Sequence, residues 1–300
     1  MSGTQHSRQP AVRKHWLHVQ GVRTHYLEAG QGPATLLVHG DGGAADGWLG
    51  VMRGLAGTRR VIAVELPGYG LTQPIGCLEP AVTANFLWKF AKAVGLRRPT
   101  VVGHSLGGAI AVHMALQHPD RVPELVLVSS VGMGRAINPV QILQAATPLG
   151  ELSLFASRLP FGPQLLTAWA AAEGSWNPRR LPASWWRAQT KAASSHRALN
   201  TALRAGRIVT GPLGQRHPLL DQLHKLPMPT LVVWGAEDQL LPSWQAKAAL
   251  RHLRHGHLAV FPRCGHLVPI EAAGRLLKAL RSFLAHAEAE RTRHCRTVSR

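Results

Sequence analysis

Three residues in this sequence could together turn a serine hydroxyl into a nucleophile. Ser105 lies in the segment Gly-His-Ser-Leu-Gly, which fits the pattern G-x-S-x-G; Asp238 follows 133 residues later and His266 a further 28. A serine needs a base to take its proton, and the base needs a carboxylate that fixes its tautomer and stabilises the imidazolium. These residue types predict nucleophilic catalysis, with Ser105 attacking, His266 as the base and Asp238 as its partner.

The serine is predicted to stand on a sharp turn between a strand and a helix. An apolar run, residues 100–102, precedes the motif, and the helix-forming residues 109–116 follow it. We expect Gly103 and Gly107 to be required, because a Cβ atom at either position would collide with the neighbouring strand or helix. A glycine-rich turn carrying an ordinary serine is the alternative interpretation.

Backbone N–H groups are expected to stabilise the negative charge that develops on the attacked oxygen. The first donor is Leu106, directly after the nucleophile, and the second is Asp41, in the loop that follows His39 and Gly40. A carboxylate beside a developing oxyanion is unfavourable, so the Asp41 side chain should turn towards solvent or the helical segment described below. If it points inward, it could instead serve the substrate as an acid or base.

Other residues compete for two of the three roles. Glu237 directly precedes Asp238. We prefer Asp238 as the acid because the register of its loop matches the family motif to which this segment is compared below. His39 and His104 are alternatives to His266. We expect both to orient loops, because neither follows the strand that comes after the acid.

The elements that position these residues alternate between strand and helix, which is typical of a doubly wound, mostly parallel α/β sheet. Ligands of such sheets lie beyond the carboxyl ends of the strands, where each candidate residue falls.

A hairpin is predicted within residues 19–29. From about residue 132 to 226 the strands give way to proline-broken helical blocks, predicted to be a lid between two strands; a structural subdomain without a substrate role is the alternative.

This pattern divides the chain into five segments. They are a basic N-terminal tail (1–18), the first part of the core (19–131), the helical lid (132–226), the second part of the core (227–287) and a basic C-terminal tail (288–300). The lid contains four tryptophans, which either line an apolar pocket or form the lid's own core: Trp169, Trp176, Trp185 and Trp186.

The hydrophobic content, net charge and cysteine count of the chain limit the classes of protein to which it can belong. With 300 residues, 45% of them hydrophobic, the chain can bury one full α/β core. The net charge is 34 − 15 = +19, but the charge is mostly spread out, so we expect solvated tails and no nucleic-acid partner. The three cysteines are too few for a disulfide framework, and no apolar run approaches the roughly 18 residues of a membrane span, so we expect a cytoplasmic protein with no membrane partner.

Cofactor and metal patterns are not evident. We find no glycine-rich phosphate loop or dinucleotide fingerprint, so no cofactor is expected. His252, His255 and His257 are better explained as a basic surface loop than as metal ligands, because no cysteine or carboxylate stands at a fitting spacing. A small molecule is the expected partner, and a homodimer is left open.

Several motifs resemble those of the α/β-hydrolase superfamily over roughly residues 19–284. The segments 37–48, 103–108, 128–135, 234–242 and 264–271 are similar to the branch that contains meta-cleavage-product C–C hydrolases and related serine esterases. The resemblance implies triad roles for Ser105, Asp238 and His266, with a lid over the site. In the C–C hydrolases Asn usually precedes the nucleophile and Trp follows the histidine, whereas this chain has His104 and Leu267. Ser105 argues against the dehalogenases and epoxide hydrolases of this fold, whose nucleophile is Asp.

The resulting expectation is a cofactor-free serine hydrolase that cleaves an ester, a thioester or a vinylogous C–C bond of a small apolar substrate. A lyase, acyltransferase or cyclase using the same pocket is the first alternative, because one fold hosts many reactions. A ligand receptor without catalysis is the second.

Overall fold

The computed structural model describes residues 11–298, with side chains up to Arg293, and is built around an eight-stranded sheet. In chain order the strands are β1 (Arg13–Val19), β2 (Val22–Ala29), β3 (Ala34–Val38), β4 (Arg60–Val64), β5 (Thr100–His104), β6 (Leu125–Val128), β7 (Thr210–Gly211), β8 (Gly214–Gln215), β9 (Thr230–Gly235) and β10 (Gly256–Phe261). The strand order in the large sheet is β1-β2-β4-β3-β5-β6-β9-β10, and β7 and β8 form a separate two-stranded sheet.

The large sheet is parallel from β4 to β10, and only β1 and β2 are antiparallel to their neighbours. Its central strands are almost continuously apolar and fully buried, as shown by Leu36, Leu37 and Val38 of β3. Such strands are typical of a sheet that is covered on both faces.

Helices cover both faces of this sheet. In chain order they are α1 (Leu49–Leu55), α2 (Pro80–Ala93), α3 (Leu106–Gln117), α4 (Pro139–Ala146), α5 (Leu149–Ala156), α6 (Gly162–Gly174), α7 (Ala183–Ala193), α8 (His196–Val209), α9 (Trp244–His252), α10 (Val268–Glu271) and α11 (Ala273–Val298). One buried cluster joins the sheet to α2, α3 and α9, and a second joins its other face to α1 and α11. The predicted doubly wound, mostly parallel α/β class is confirmed.

Helices α4 to α8 lie between β6 and β9, in the segment predicted as a lid; we call residues 132–226 the helical insertion. Its last helix, α8, contacts the loop after β4. Arg197 donates to the carbonyl of Gly70 at 2.9 Å, and a Cβ atom on Gly68 would lie 2.7 Å from the Thr201 side chain. The insertion therefore packs against a loop at the carboxyl end of the sheet.

The two predicted tails differ from the structure. Residues 13–18 are not tail but part of β1, which pairs antiparallel with β2 at the edge of the sheet. Edge strands tolerate exposed charges, which discourage pairing with other chains, and these charges conceal the strand pattern. Residues 288–298 continue α11, where Arg291 forms an ion pair with the buried Glu124. Residues 1–10 lie outside the described part of the chain.

The described residues include no helix long and apolar enough to cross a membrane.

Candidate active site

Ser105 lies between the end of β5 and the start of α3 in a conformation that side chains rarely adopt. Its φ is 53° and its ψ is −119°. Two hydrogen bonds hold it there: its N–H donates to the carbonyl of Val128 at 2.9 Å, and its own carbonyl accepts from Gly108 N–H at 2.9 Å. This strained backbone is the sharp strand-to-helix turn predicted from the motif.

The two glycines of the motif allow the turn to form. A Cβ atom on Gly103 would lie 2.1 Å from the carbonyl oxygen of Gly107, and one on Gly107 would lie 2.4 Å from the carbonyl oxygen of Val38. Both partners are backbone atoms that cannot rotate away. The prediction that both positions require glycine is confirmed.

Replacing Gly103 with alanine is expected to lower the free energy of unfolding by about 3 kcal/mol, because the added methyl group forces backbone apart in a packed core. Chemical denaturation measures this loss. Gly274 on α11 is the matched control, because no atom lies within 4 Å of a Cβ placed there. Equal stability of Gly103→Ala and Gly274→Ala would contradict the packing described here.

Asp238 and His266 form a buried pair beyond the ends of β9 and β10. His266 Nδ1 and Asp238 Oδ2 are 2.9 Å apart, and Asp238 Oδ1 accepts hydrogen bonds from the N–H groups of Leu240 and Leu241 at 3.0 and 2.9 Å. An ionised carboxylate only accepts, so Nδ1 carries the hydrogen. In the neutral ring this leaves Nε2 as the basic nitrogen.

Glu237, the competing acid, does not contact His266. Its Oε2 accepts from the N–H of Cys264 at 2.9 Å, in the loop that leads to the histidine. Glu237 therefore holds the loop in place, whereas Asp238 contacts the ring.

His39 fixes the loop after β3. Its Nε2 accepts from the N–H of Leu66 at 3.0 Å, so Nδ1 carries the hydrogen and donates to the carbonyl of Gly40 at 2.7 Å. Burial lowers the pKa of His39, which keeps the ring neutral. His39 thus orients the loop that contains Asp41, as expected.

His104 connects the serine turn to the histidine loop. Its Nε2 donates to the carbonyl of His266 at 2.9 Å, and the two ring centroids are 4.9 Å apart. Burial, with a smaller effect from His266, lowers the pKa of His104 to about 3. His104 is therefore neutral at physiological pH and places no second positive charge beside His266.

The structure thus brings the Ser105 turn next to the Asp238–His266 pair, through His104. Among the side chains described, up to Arg293, the Ser105 hydroxyl makes no hydrogen bond. Hydrogen bonds between a nucleophile and its base are often long before substrate binds and shorten in the reacting complex.

Leu106 and Asp41 each have a backbone N–H near this turn. Leu106 is the first residue of α3, so its N–H has no acceptor within the helix. Asp41 follows Gly40 in a tight turn closed by a hydrogen bond from Gly43 N–H to the carbonyl of Gly40 at 3.1 Å, which does not use the Asp41 N–H. A Cβ atom on Gly40 would lie 2.8 Å from Ser105 Cβ, so this turn lies against the serine.

The Asp41 carboxylate accepts a hydrogen bond from the Tyr69 hydroxyl at 2.7 Å. Its other oxygen faces α8, where a Cβ atom on Gly206 would lie 3.9 Å away. The side chain thus turns towards the helical insertion, one of the two directions expected. Asp41 as a whole residue is exposed, but the protein atoms around its carboxyl group remove enough water to raise the pKa of that group to about 6.

A sequence model of the family described as "alpha/beta hydrolase fold" matches residues 33–273. The chain belongs to this family. The predicted α/β-hydrolase resemblance is confirmed, and the protein is a hydrolase by family.

Two curated relatives and one solved structure illustrate the range of this hydrolase family. The dihydrolipoyllysine-residue acetyltransferase component of the acetoin cleaving system of Cupriavidus necator is 32% identical, over 89% of this chain and 67% of its own. The 2-hydroxy-6-oxo-6-phenylhexa-2,4-dienoate hydrolase of Burkholderia cepacia is 28% identical, over 89% and 93%. The crystal structure of a putative lipase from Acinetobacter baumannii is 26% identical, with a TM-score of 0.78 over 93% of both chains.

Two residues of the hydrolase were not singled out from the sequence. The first is Tyr69, which donates to Asp41 as described above. The second is Glu271 at the end of α10, where its Oε1 accepts from Gly265 N–H at 3.0 Å and its Oε2 accepts from Trp176 N–H at 2.8 Å. Glu271 therefore connects the histidine loop to the helical insertion, and burial raises its pKa. Only its position five residues after the histidine could have indicated this role.

Residues 11–293 contain no group of three His, Cys, Asp or Glu side chains placed to hold a metal ion.

The raised pKa of Asp41 predicts a pH-dependent stability effect. Because the folded-state pKa is about 6 and the usual value is 3.8, ionisation disfavours the folded hydrolase, and stability present at low pH is lost as the pH rises through 6. Asp41→Asn still accepts from Tyr69 and cannot ionise. Its melting temperature relative to wild type should therefore be higher at pH 7 than at low pH, as thermal unfolding at both values would show. A constant difference would contradict the assigned pKa.

Proposed function

We propose that this hydrolase is a serine hydrolase that cleaves an ester, a thioester or a vinylogous C–C bond of a small apolar substrate. The observation that carries the proposal is the buried hydrogen bond between Asp238 and His266 next to a serine on a strained turn. A hydrogen-bonded acid, a base and a half-buried hydroxyl at the carboxyl ends of β5, β9 and β10 are the parts that nucleophilic acyl transfer requires.

The reaction runs in two halves. His266 Nε2 takes the proton of Ser105 while Oγ bonds to the substrate carbonyl carbon, and Asp238 stabilises the imidazolium. Nε2 then gives this proton to the leaving group, which departs as an alcohol, a thiol or a protonated carbon fragment. In the second half His266 deprotonates water, which attacks the acyl-serine, and the proton returns to Ser105 as the carboxylic acid leaves.

The N–H groups of Leu106 and Asp41 hold the oxyanion in this proposal. Both lie beside Ser105 and neither is used by the local turn or helix. Loss of one such donor typically costs about 2.7–4 kcal/mol of transition-state stabilisation. The direction of the Asp41 carboxylate, towards Tyr69 and α8, keeps its charge away from its own N–H.

Apolar side chains lie close to the nucleophile. Leu106, which follows Ser105, lines a very small cavity with Leu66, Ile110 and Ala205 of α8. The helical insertion thus lies close to the residue that follows the serine, and we propose that it acts as the lid. Similarity to the dienoate hydrolase supports C–C bonds as one substrate class.

A panel of p-nitrophenyl esters with acyl chains of increasing length tests this function. We expect hydrolysis with a preference for one chain length, because the helical insertion proposed as the lid would limit the length of the acyl group. Folded protein that hydrolyses no member of the panel, nor a vinylogous 1,5-diketone, would contradict the proposal.

Acyl transfer is the second candidate, because the relative from Cupriavidus necator is named as an acetyltransferase component. A thiol acceptor would then replace water in the second half-reaction. Adding a small dithiol to the ester assay distinguishes the two, since acyl transfer yields a thioester faster than free acid, whereas hydrolysis yields the acid alone.

A further inference from the structure

A cavity lies where the helical insertion meets the loop that leads to His266. Its volume is about 540 Å³, within the range of sites that bind small molecules. We call it the arginine cavity, and its lining includes Trp176, Arg180, Arg263, Glu271 and Arg275. Neither Ser105 nor His266 lines it, so a ligand bound here would occupy a second site.

The arginine cavity has a net positive charge. Three guanidinium groups and one carboxylate line it, which gives 3 − 1 = +2. The carboxylate, Glu271, accepts from the N–H groups of Gly265 and Trp176, and no ion pair joins it to an arginine in the described part of the chain. Glu237 also reaches this loop, at the N–H of Cys264, but it does not line the cavity. The charge therefore favours an anionic ligand.

Arg275 is held in place at the wall of the cavity. It donates to the carbonyl of Pro262 at 2.6 Å and to that of Arg263 at 3.5 Å, and its guanidinium carbon lies 5.1 Å from the centre of the Phe261 ring. A guanidinium group has five N–H donors. These two hydrogen bonds fix its orientation and leave three donors for a ligand.

The other two arginines of the cavity are available to a ligand. Within residues 11–293 the guanidinium groups of Arg180 and Arg263 form no hydrogen bond or ion pair, and both residues are exposed. Arg263 has a φ of 53°, in the left-handed region that side chains seldom adopt. Strained backbone of this kind is concentrated at ligand sites, and here it lies in a loop that places an arginine at the cavity.

The lining of the cavity indicates the chemistry of the anion. Arginine donates pairs of parallel hydrogen bonds to phosphate oxygens. A phosphate monoester has a charge of about −2 at neutral pH, which is opposite and equal to that of the lining. Trp176, which is 37% exposed, adds an aromatic surface on which a planar ring can stack.

We propose that the arginine cavity binds a small phosphate monoester that carries a planar aromatic ring, as a nucleotide does. The three arginines hold the phosphate group, and Trp176 contacts the ring. Binding is independent of the proposed catalytic chemistry, so Ser105→Ala should bind this ligand as wild type does.

Isothermal titration calorimetry with adenosine monophosphate tests the proposal. We expect binding that weakens as salt is added. Adenosine, which lacks the phosphate, should show no binding, and inorganic phosphate, which lacks the ring, should bind more weakly. The double variant R180Q/R263N should lower the affinity for adenosine monophosphate about tenfold or more, because it removes two charged donors. Both residues are exposed and Asn accepts a left-handed conformation, so the melting temperature should stay at the wild-type value.

The double variant R179Q/R254Q is the matched control. It removes the same charge from two exposed arginines that do not line the cavity, and Arg179 directly precedes Arg180. It should bind adenosine monophosphate like wild type, and with the loss in R180Q/R263N this result would support the site. Failure of the wild type to bind, or equal affinities of the two double variants, would overturn it. Adenosine or inorganic phosphate binding as tightly as adenosine monophosphate would overturn the proposed ligand class.

Discussion

Replacing Ser105 with alanine is expected to lower kcat on the best p-nitrophenyl ester by about 10⁴- to 10⁶-fold. The acyl-serine route requires this oxygen, and the residual rate would come only from the oxyanion donors and substrate binding. The release of p-nitrophenol measures the loss. A fluorophosphonate probe should label wild type and leave Ser105→Ala unlabelled, because phosphonylation also needs a serine activated by His266.

Ser129 provides the matched control for this substitution. It follows β6 as Ser105 follows β5, it also has a positive φ (42°), and its buried hydroxyl has no hydrogen-bond partner within the described part of the chain. Ser129→Ala should therefore fold, react with the probe and turn over ester like wild type. Probe attached to a residue other than Ser105, or ester turnover that survives in Ser105→Ala, would contradict the assignment of the nucleophile.

The positions of the three candidate residues could be predicted because they depend on local sequence. Each follows an apolar run, and parallel strands bring their carboxyl ends to one edge. The collision distances at Gly103 and Gly107 confirm the sharp turn at that edge. The fold class follows from the same alternation of strand and helix.

The two ends of the described chain could not be predicted because charge hides their pattern. In β1 the exposed Arg13 and Lys14 replace the apolar alternation by which a strand is recognised, since the strand lies at the sheet edge. In α11 residues 288–293 are exposed, and Arg291 reaches Glu124 in a contact between residues 167 apart. Sequence composition alone makes such segments look like solvated tails.

Contacts between the insertion and the core could not be predicted from the sequence either. The bonds of Glu271 to Trp176 and of Arg197 to Gly70 join segments 95 and 127 residues apart. The insertion tryptophans were expected in a pocket or a core, yet Trp169 and Trp176 are exposed. Helical spacing shows that residues share a side, but which side faces the protein depends on how the helices pack.

Replacing Asp238 with asparagine should lower kcat about 10⁴-fold, by a route different from loss of the nucleophile. The amide group of Asn can donate to His266 Nδ1, which places the ring hydrogen on Nε2, where the base must be free to take the Ser105 proton. The accepting oxygen for Leu240 and Leu241 remains, so the loop should keep its conformation and the melting temperature should change little. Ester turnover, the rate of labelling by the fluorophosphonate and thermal unfolding together separate this effect from misfolding.

Glu237→Gln is the adjacent control, and it decides which of two neighbouring carboxylates is the acid. The Gln oxygen still accepts from Cys264 N–H, the one hydrogen bond of the Glu237 side chain among the described residues, so turnover should stay within a few-fold of wild type. The opposite result, a large loss in Glu237→Gln and normal turnover in Asp238→Asn, would assign the carboxylate to Glu237. It would also require the loop to rearrange, because in the present geometry the His266 ring contacts Asp238 at 2.9 Å and the Glu237 carboxylate points to the backbone of the next loop.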